Sequence, residues 1–98
     1  MEKEISLIWK KRAHNSIAKI YHYIAENNPQ NAEAFVKRMI RFGQSLKILP
    51  EKYAPCRFEK FAHRGYYCVV FEKHFIFLFR IKNDTLYIFN IIRSSRLK

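Results

Sequence analysis

Basic side chains are the most prominent residues of this sequence that could do chemistry. Among 98 residues there are 19 lysines and arginines against 8 aspartates and glutamates, a formal net charge of +11 at pH 7. Because 49% of the residues are hydrophobic and 16% aromatic, the chain has the apolar material for a core that disordered basic tails lack. A packed domain with this surface requires an anionic partner, and the physical choices are nucleic acid, an acidic protein or a membrane surface.

Arg80 is the basic residue with the most unusual surroundings, because it interrupts an otherwise apolar, alternating run over residues 75–81. Alternation places two sets of side chains on opposite faces of a strand: Phe75, Phe77, Phe79 and Ile81 on one, and Ile76, Leu78 and Arg80 on the other. A long basic side chain in such a run commonly extends to the sheet edge or pairs with an acid. If the second face is instead a partly open concavity, Arg80 is placed to hold a phosphate. Both interpretations stay open at this point.

The two cysteines, Cys56 and Cys68, lie 12 positions apart, with no CxxC pair and no histidine at a spacing that suggests zinc. This arrangement favours two free thiols, buried or half-buried, over a disulfide or a metal site. No metal site and no cofactor are therefore predicted.

A single cytoplasmic domain over residues 1–98 is expected from the rest of the composition. Two glycines and three prolines leave no room for a flexible linker. The charged residues 1–4 precede an apolar stretch too short for a signal peptide, and charges interrupt every apolar run before it reaches the length of a membrane span. Peripheral membrane binding also has little support, because the basic residues are scattered rather than gathered on one amphipathic helix.

The first half of the sequence predicts a short strand and two helices. Residues 4–9 are apolar and partly alternating, which suits a strand. Asn28 can cap a second helix and Pro29 suits its first turn, while Pro50 is expected to end it, so the two helices form an antiparallel hairpin. Apolar residues then recur at spacings of three and four: Ala13, Ile17, Ile20, Tyr21 and Ile24 in the first helix, and Ala32, Phe35, Met39, Phe42, Leu46 and Leu49 in the second.

The second half predicts strands joined by tight turns. Residues 66–71, 75–81 and 86–92 are rich in aromatic and β-branched side chains and are separated by short polar segments. Residues 56–61 are expected to add a further short strand. The predicted fold class is α+β: a short N-terminal strand and a helical hairpin packed on a mostly antiparallel sheet of about three to five strands.

The order of these elements and several short motifs together resemble the RelE/ParE superfamily of toxins. The motifs are Ile20-Tyr21-His22-Tyr23-Ile24-Ala25, Ala32-x-x-Phe35 with Leu46-x-x-Leu49-Pro50, and the ending Ile91-Ile92-Arg93-Ser94-Ser95-Arg96. The resemblance covers nearly the whole chain. It implies a RelE/ParE-like fold and the toxin of a type II toxin–antitoxin module, which arrests growth and is neutralised by a cognate acidic antitoxin in a hetero-oligomeric complex.

The resemblance leaves two targets open. RelE-like toxins cleave messenger RNA in the ribosomal A site, whereas ParE-like toxins inhibit DNA gyrase and are not nucleases. RelE-like enzymes use sheet-face lysines and arginines together with a histidine or tyrosine near the C-terminus. This sequence has Arg93 where many relatives carry histidine, and Cys68 where many carry an arginine.

The residues still offer a set for cleavage of RNA without a metal, which needs a base, an acid and cations around the crowded phosphate. His63 is the candidate base with Arg64 beside it, and the candidate phosphate-binding and target-binding residues are Lys60, Arg80, Arg93 and Arg96. The alternative for His63 and Arg64 is a solvated loop pair. His14, His22 and His74 are assigned no chemistry.

On this interpretation one cationic face binds the antitoxin's acidic segment at rest and the target after the antitoxin is lost. The alternative function, from a different class, is a small basic RNA-binding module without toxin activity. It would stack bases on Tyr66, Tyr67 and neighbouring aromatic residues.

Overall fold

A computed structural model of the chain describes residues 5–48, 55–56 and 59–94, in which two long helices cover one face of a four-stranded sheet. The elements in chain order are β1 (Ser6–Trp9), α1 (Lys11–Ala25), α2 (Pro29–Ser45), α3 (Glu59–Ala62), β2 (Tyr67–Phe71), β3 (Phe75–Lys82) and β4 (Thr85–Arg93). The predicted α+β fold, with its N-terminal strand and its helical hairpin on a mostly antiparallel sheet, is confirmed. The strand predicted over residues 56–61 is wrong, since Pro55 makes only an isolated bridge to Tyr67 and Glu59–Ala62 is a short helix.

Helix α2 begins and ends as its local chemistry requires. The side chain of Asn28 accepts a hydrogen bond from the Asn31 N–H at 3.1 Å, and Pro29 follows as the first helical residue. The helix α2 ends at Ser45 rather than at Pro50, because the Leu46 N–H bonds the Gly43 carbonyl three residues back and the Ser45 hydroxyl donates to the Phe42 carbonyl. Leu49 and Pro50 lie outside the described residues.

The sheet has the strand order β1-β4-β3-β2, with β1 parallel to β4 and the other pairs antiparallel. Asn83 and Asp84 form the two-residue turn between β3 and β4, and both have positive φ, at 50° and 60°. This backbone matches the twist of adjoining strands and suits Asn and Asp. The turn fixes the register, so that Lys82 lies opposite Thr85 and Arg80 opposite Tyr87.

One extra residue interrupts the pairing of β3 with β4. Leu78 pairs with Asn90 and Phe79 with Ile88, which leaves Phe89 as a bulge between them. A bulge reverses the alternation of side chains on the strand that carries it. Ile88 and Ile91 consequently both face the helices, whereas Phe89 packs on the other side of the sheet.

The main core lies between the sheet and the helical hairpin. Phe77 and Phe79 of β3 and Met39 of α2 are fully buried there. The helix α2 approaches closely because of Gly43, where an added Cβ would clash with the Trp9 indole and lie 3.1 Å from the Phe77 ring. We call this side of the sheet the helix face, and the side that bears Leu78 and Arg80 the open face.

A disulfide joins Cys56 to Cys68, so the expectation of two free thiols was wrong. The Cys56 N–H bonds the Tyr66 carbonyl at 3.0 Å and Pro55 pairs with Tyr67, which brings the two cysteine Cα atoms to 4.6 Å. That separation lies within the range that a disulfide can bridge. The bond lies in a second, smaller core on the open face, formed with Tyr66 and Leu78.

Candidate functional site

The open face carries a cation-lined cavity of about 350 Å³ beside the second core. Its lining side chains come from the residue between β1 and α1, the segment before β2, and strands β3 and β4: Lys10, Tyr66, Arg80, Lys82, Tyr87 and Phe89. Arg80 and Lys82 reach this face because they follow Leu78 at the two-residue period of β3. We refer to these six residues as the open-face site.

Aromatic rings, rather than carboxylates, contact the cations of the open-face site. The Arg80 guanidinium lies 5.1 Å from the centre of the Tyr66 ring, and the Lys10 ammonium lies 5.6 Å from that of Tyr87. Arg12, at the start of α1, lies 5.5 Å from the centre of the Phe89 ring. Such contacts hold a cation in place without neutralising its charge. Arg80 is exposed and lies above the Tyr66 ring. This position is the one that the phosphate-holding interpretation requires.

This arrangement can bind an anion and present flat apolar surface beside it. The rings of Tyr66 and Phe89 lie 5.0 Å apart and form the floor. Guanidinium and ammonium groups bind phosphate or carboxylate oxygens through charge-assisted hydrogen bonds. Histidine, the side chain best suited to proton transfer at neutral pH, is not among the six lining residues, and neither is a carboxylate.

The candidate base His63 and its neighbour Arg64 do not line the open-face site. Both are exposed in the turn that follows α3, where the Arg64 N–H bonds the Phe61 carbonyl. The side chain of Lys60 and the whole of Arg96 lie outside the described residues. Of the sequence-predicted site residues that are described, Arg80 alone lies in the open-face site.

Arg93 lies on the opposite face from Arg80. Its guanidinium sits 4.4 Å from the centre of the Tyr23 ring of α1, and across the strands it pairs with Phe75, which belongs to the main core. The bulge at Phe89 is the cause, since uninterrupted alternation would place Arg93 on the same face as Tyr87. The structure therefore does not bring Arg80 and Arg93 together into one phosphate clamp.

The residues that sequence reasoning missed are Lys10, Lys82, Tyr87 and Phe89. The sequence contains a signal that could have predicted Lys82 and Tyr87 as site residues. A two-residue turn at Asn83-Asp84 places Tyr87 opposite Arg80 and puts Lys82 on the same face. The sequence contains no such signal for Lys10, because the position of Lys10 depends on the parallel pairing of β1 with β4.

A separate ion pair joins Arg38 of α2 to Glu72 in the turn between β2 and β3. The guanidinium donates hydrogen bonds of 2.8 and 3.1 Å to the two carboxylate oxygens. These bonds hold the pKa of Glu72 below its usual range and raise the pKa of Arg38. The pair lines neither the open-face site nor the cavities beside Arg93, so its contribution is to the attachment of α2.

Within residues 5–48, 55–56 and 59–94, none of the helices has the length and apolar character of a membrane span. No group of three or more His, Cys, Asp or Glu side chains in the same residues is arranged to hold a metal ion.

Chains of two solved structures have folds similar to this one. One chain of the chromosomal ParDE toxin–antitoxin system from P. aeruginosa superposes with a TM-score of 0.76 at 24% identity, covering 92% of this chain and 96% of its own. One chain of the RelBE2 toxin–antitoxin complex from Mycobacterium tuberculosis gives 0.67 at 16% identity, covering 94% and 100%.

No curated protein sequence is significantly similar to this chain. The family model of the ParE toxin of the type II toxin–antitoxin system parDE, however, matches residues 7–98. The chain therefore belongs to the ParE toxin family and is a toxin of a type II toxin–antitoxin system.

Proposed function

We propose that this toxin arrests growth by inhibiting DNA gyrase without cutting nucleic acid, and that the open-face site contacts the target. The observation that carries the proposal is the composition of that site, in which three cations and three aromatic rings converge without a histidine or a carboxylate. The ParE family of the chain supports the same choice, because ParE-like toxins are the branch of the superfamily that inhibits gyrase.

The chemical requirements of RNA cleavage argue against a nuclease and therefore favour gyrase inhibition. Cleavage without a metal needs a base for the 2′-hydroxyl and an acid for the departing oxygen, in addition to cations. The open-face site offers the cations, but the candidate base His63 lies in an exposed turn and does not line the cavity. The site is therefore better suited to bind an anionic surface than to break a phosphodiester bond.

Two structurally similar proteins come from toxin–antitoxin assemblies, namely the ParDE system of P. aeruginosa and the RelBE2 complex. By analogy, a cognate acidic antitoxin holds this toxin inactive in a hetero-oligomeric complex in the cytoplasm. The net charge of +11 favours such a partner electrostatically.

The second candidate is ribosome-dependent cleavage of messenger RNA. It is favoured by the exposed cations Arg80 and Lys10, which offer phosphate contacts, and by the half-buried Tyr87 ring, which offers a planar surface. In that case His63 and Arg64 supply the proton transfer, and Lys60 and Arg96 further phosphate contacts.

A plain RNA-binding module has less support. Tyr66 is only 7% exposed, and the Tyr67 ring stacks on Phe79 of the main core at 5.6 Å. Both tyrosines are thereby used in packing rather than offered to bases.

The test is induction of the toxin in a bacterial culture, followed by pulse labelling and a supercoiling assay with purified gyrase. We expect early loss of thymidine incorporation while methionine incorporation continues, together with inhibition of supercoiling by the purified toxin. The double variant R80A/K82A should lose both effects, whereas R41A, which removes an exposed arginine of α2 on the other side of the sheet, should keep them. Early loss of methionine incorporation that H63A abolishes would instead support messenger cleavage and overturn the proposal.

A further inference from the structure

We propose that Cys56 and Cys68 form a thiol–disulfide switch that controls the open-face site by positioning Tyr66 beneath the Arg80 guanidinium. The oxidised pair holds the site in its binding arrangement, and reduction loosens it. This inference deepens the proposed function and rests on it for two points, namely that the open-face site contacts the target and that the toxin acts in the cytoplasm. The coupling itself depends only on contacts within the chain.

The disulfide is unusual for the compartment proposed above. Reducing thiol pools keep most cytoplasmic cysteines reduced, and the pairs that do oxidise there are usually redox-sensing or catalytic. Cys56 and Cys68 are the two cysteines of the sequence, so oxidation within the chain has a single product. Their Cα atoms lie 4.6 Å apart, a separation that a disulfide can bridge without movement of the backbone. The folded chain therefore presents a pair that can be oxidised and reduced in place.

Tyr66 connects this pair to the open-face site. The Cys56 N–H donates to the Tyr66 carbonyl at 3.0 Å, and Cys68 follows Tyr66 by two residues within β2. The Tyr66 side chain packs with Cys56 and Leu78 in the second core and is only 7% exposed. Tyr66 is thus held in place from both ends of the disulfide.

The Tyr66 ring in turn determines where the Arg80 guanidinium lies. The guanidinium sits 5.1 Å from the centre of that ring, and the ring lies 5.0 Å from that of Phe89 on the floor of the cavity. Contact with a fixed ring restricts a long arginine side chain without neutralising its charge. If the ring moves, the guanidinium loses this support and the cavity loses a wall. Tyr66 is therefore a positioning residue for Arg80.

Reduction should act on this side of the sheet alone. The main core, which contains Phe77 and Phe79, lies on the helix face and includes neither cysteine. The second core is small, and its buried members are Cys56, Tyr66 and Leu78. A unit with few buried contacts opens locally at a lower free energy than the whole fold. Opening of the disulfide therefore releases the segment around Cys56 and the Tyr66 ring while the main core stays packed.

The oxidant is a low-molecular-weight disulfide, and the reaction is thiol–disulfide exchange. Cys68 is half-buried whereas Cys56 is only 3% exposed, so Cys68 is the more accessible sulfur. The Cys68 thiolate attacks one sulfur of the small disulfide and expels the other as a thiolate. The Cys56 thiolate then attacks the Cys68 sulfur and expels the second small thiolate. The protein thiols thus give up two electrons and two protons, the small disulfide becomes two thiols, and an excess of small thiol reverses both steps.

The test compares the oxidised and the reduced full chain by NMR, with inorganic pyrophosphate as the anionic probe. In the oxidised chain we expect the Tyr66 ring to displace the guanidinium N–H signal of Arg80, and reduction to return that signal towards the position of a free arginine. The affinity for pyrophosphate should fall about tenfold, as it does if reduction leaves the site assembled in about one molecule in ten. The amide signals of Phe77 and Phe79 should stay in place.

Variants distinguish a switch from a simple structural cross-link. C56A/C68A should show the reduced-state Arg80 signal and pyrophosphate affinity in every buffer, and the reduced unmodified chain gives the same comparison if that variant does not fold. Y66L should form the disulfide but bind pyrophosphate weakly in both redox states. R41A, which removes an exposed arginine of α2, is the matched control and should respond to reduction as the unmodified chain does.

A disulfide that only stabilises the fold would lower the denaturant midpoint on reduction but leave the Arg80 signal and the pyrophosphate affinity unchanged. That result overturns the inference, as does a reduced pair that glutathione disulfide cannot reoxidise in the folded chain.

A supercoiling assay with both redox forms, run without added reductant, separates the switch from the proposed function. If the Arg80 signal and the pyrophosphate affinity follow the redox state but neither form inhibits gyrase, the proposed function is wrong and the coupling stands. If both forms inhibit gyrase equally, the switch is wrong and gyrase inhibition stands.

Discussion

The same alternating strands contribute side chains to both faces of the sheet, but the two faces differ in how far those side chains are buried. On the helix face, Phe77 and Phe79 are fully buried under α1 and α2. On the open face, Leu78 is equally buried beside the disulfide, but Arg80, two residues further on, is exposed. Among the described residues the difference lies in the cover: the helical hairpin on one side, and on the other the segments around Cys56 and α3. The described residues thus leave the cations of the open-face site exposed on one side of the sheet.

The largest effect should come from truncating the helix face. Phe77→Ala removes a fully buried ring that contacts Trp9, Phe42 and Phe71, and we expect a loss of about 3–5 kcal/mol in the free energy of unfolding. Denaturant titration of the purified protein measures it. A loss near zero would mean that the helices do not cover this face as described.

A smaller loss is expected from opening the disulfide on the other face. Cys56 and Cys68 close a loop over a sequence separation of 12, for which cross-linking stabilises by about 3 kcal/mol. The double variant C56A/C68A should unfold at lower denaturant concentration than the oxidised protein and should no longer respond to dithiothreitol. If the unmodified protein is equally unresponsive to dithiothreitol, this half of the open face is not held by the disulfide.

A modest pH-dependent effect is expected from the ion pair between Arg38 and Glu72. The pKa of Glu72 is lower in the folded chain than in the unfolded one. Its stabilising contribution is therefore complete above the ordinary glutamate pKa of about 4.3 and is lost as the pH falls through the lower folded value. Because both groups are partly exposed, solvent screening keeps the effect small.

Glu72→Gln should lower the melting temperature slightly at pH 7 and leave it unchanged at a pH well below 4, as melting curves at the two pH values would measure. Lys37→Ala, which breaks the exposed pair between Lys37 and Glu33 within α2, serves as the control for a local helical pair. Equal losses at both pH values would exclude the carboxylate as the cause.

The smallest change in stability should follow Arg80→Ala. Arg80 is exposed and contacts an aromatic ring rather than a buried carboxylate, so we expect a change within about 0.5 kcal/mol. Denaturant titrations of the Arg80→Ala and Phe77→Ala variants, run side by side, compare the loss in the free energy of unfolding on the two faces. A large loss would show that Arg80 holds Tyr66 in the second core and is not reserved for binding.

The sequence was sufficient for the elements whose signals are local. The apolar periods of the helices, the Asn28-Pro29 start of α2 and the alternation of β3 each depend on neighbours a few residues away, and all three are present. The alternation also placed Arg80 on the face opposite Phe79 correctly.

The sequence could not supply the features that depend on distant pairing. The disulfide exists because Pro55 pairs with Tyr67, a contact that the spacing of Cys56 and Cys68 does not encode. The separation of Arg93 from Arg80 depends on one bulged residue in β4, which moves the side chains of the following residues to the opposite face of the sheet. A site assembled from several strands is therefore less predictable than the strands themselves.

The parallel pairing of β1 with β4 has a consequence for the order of events during synthesis. Ser6 pairs with Thr85 and Trp9 with Ile88, so β1 cannot take its place in the sheet until β4 has been synthesised. Pairings this distant slow folding, because the loop must close before any contact repays its entropy. Lys10 reaches Tyr87 through the same pairing. A growing chain thus carries no complete open-face site until β4 has emerged.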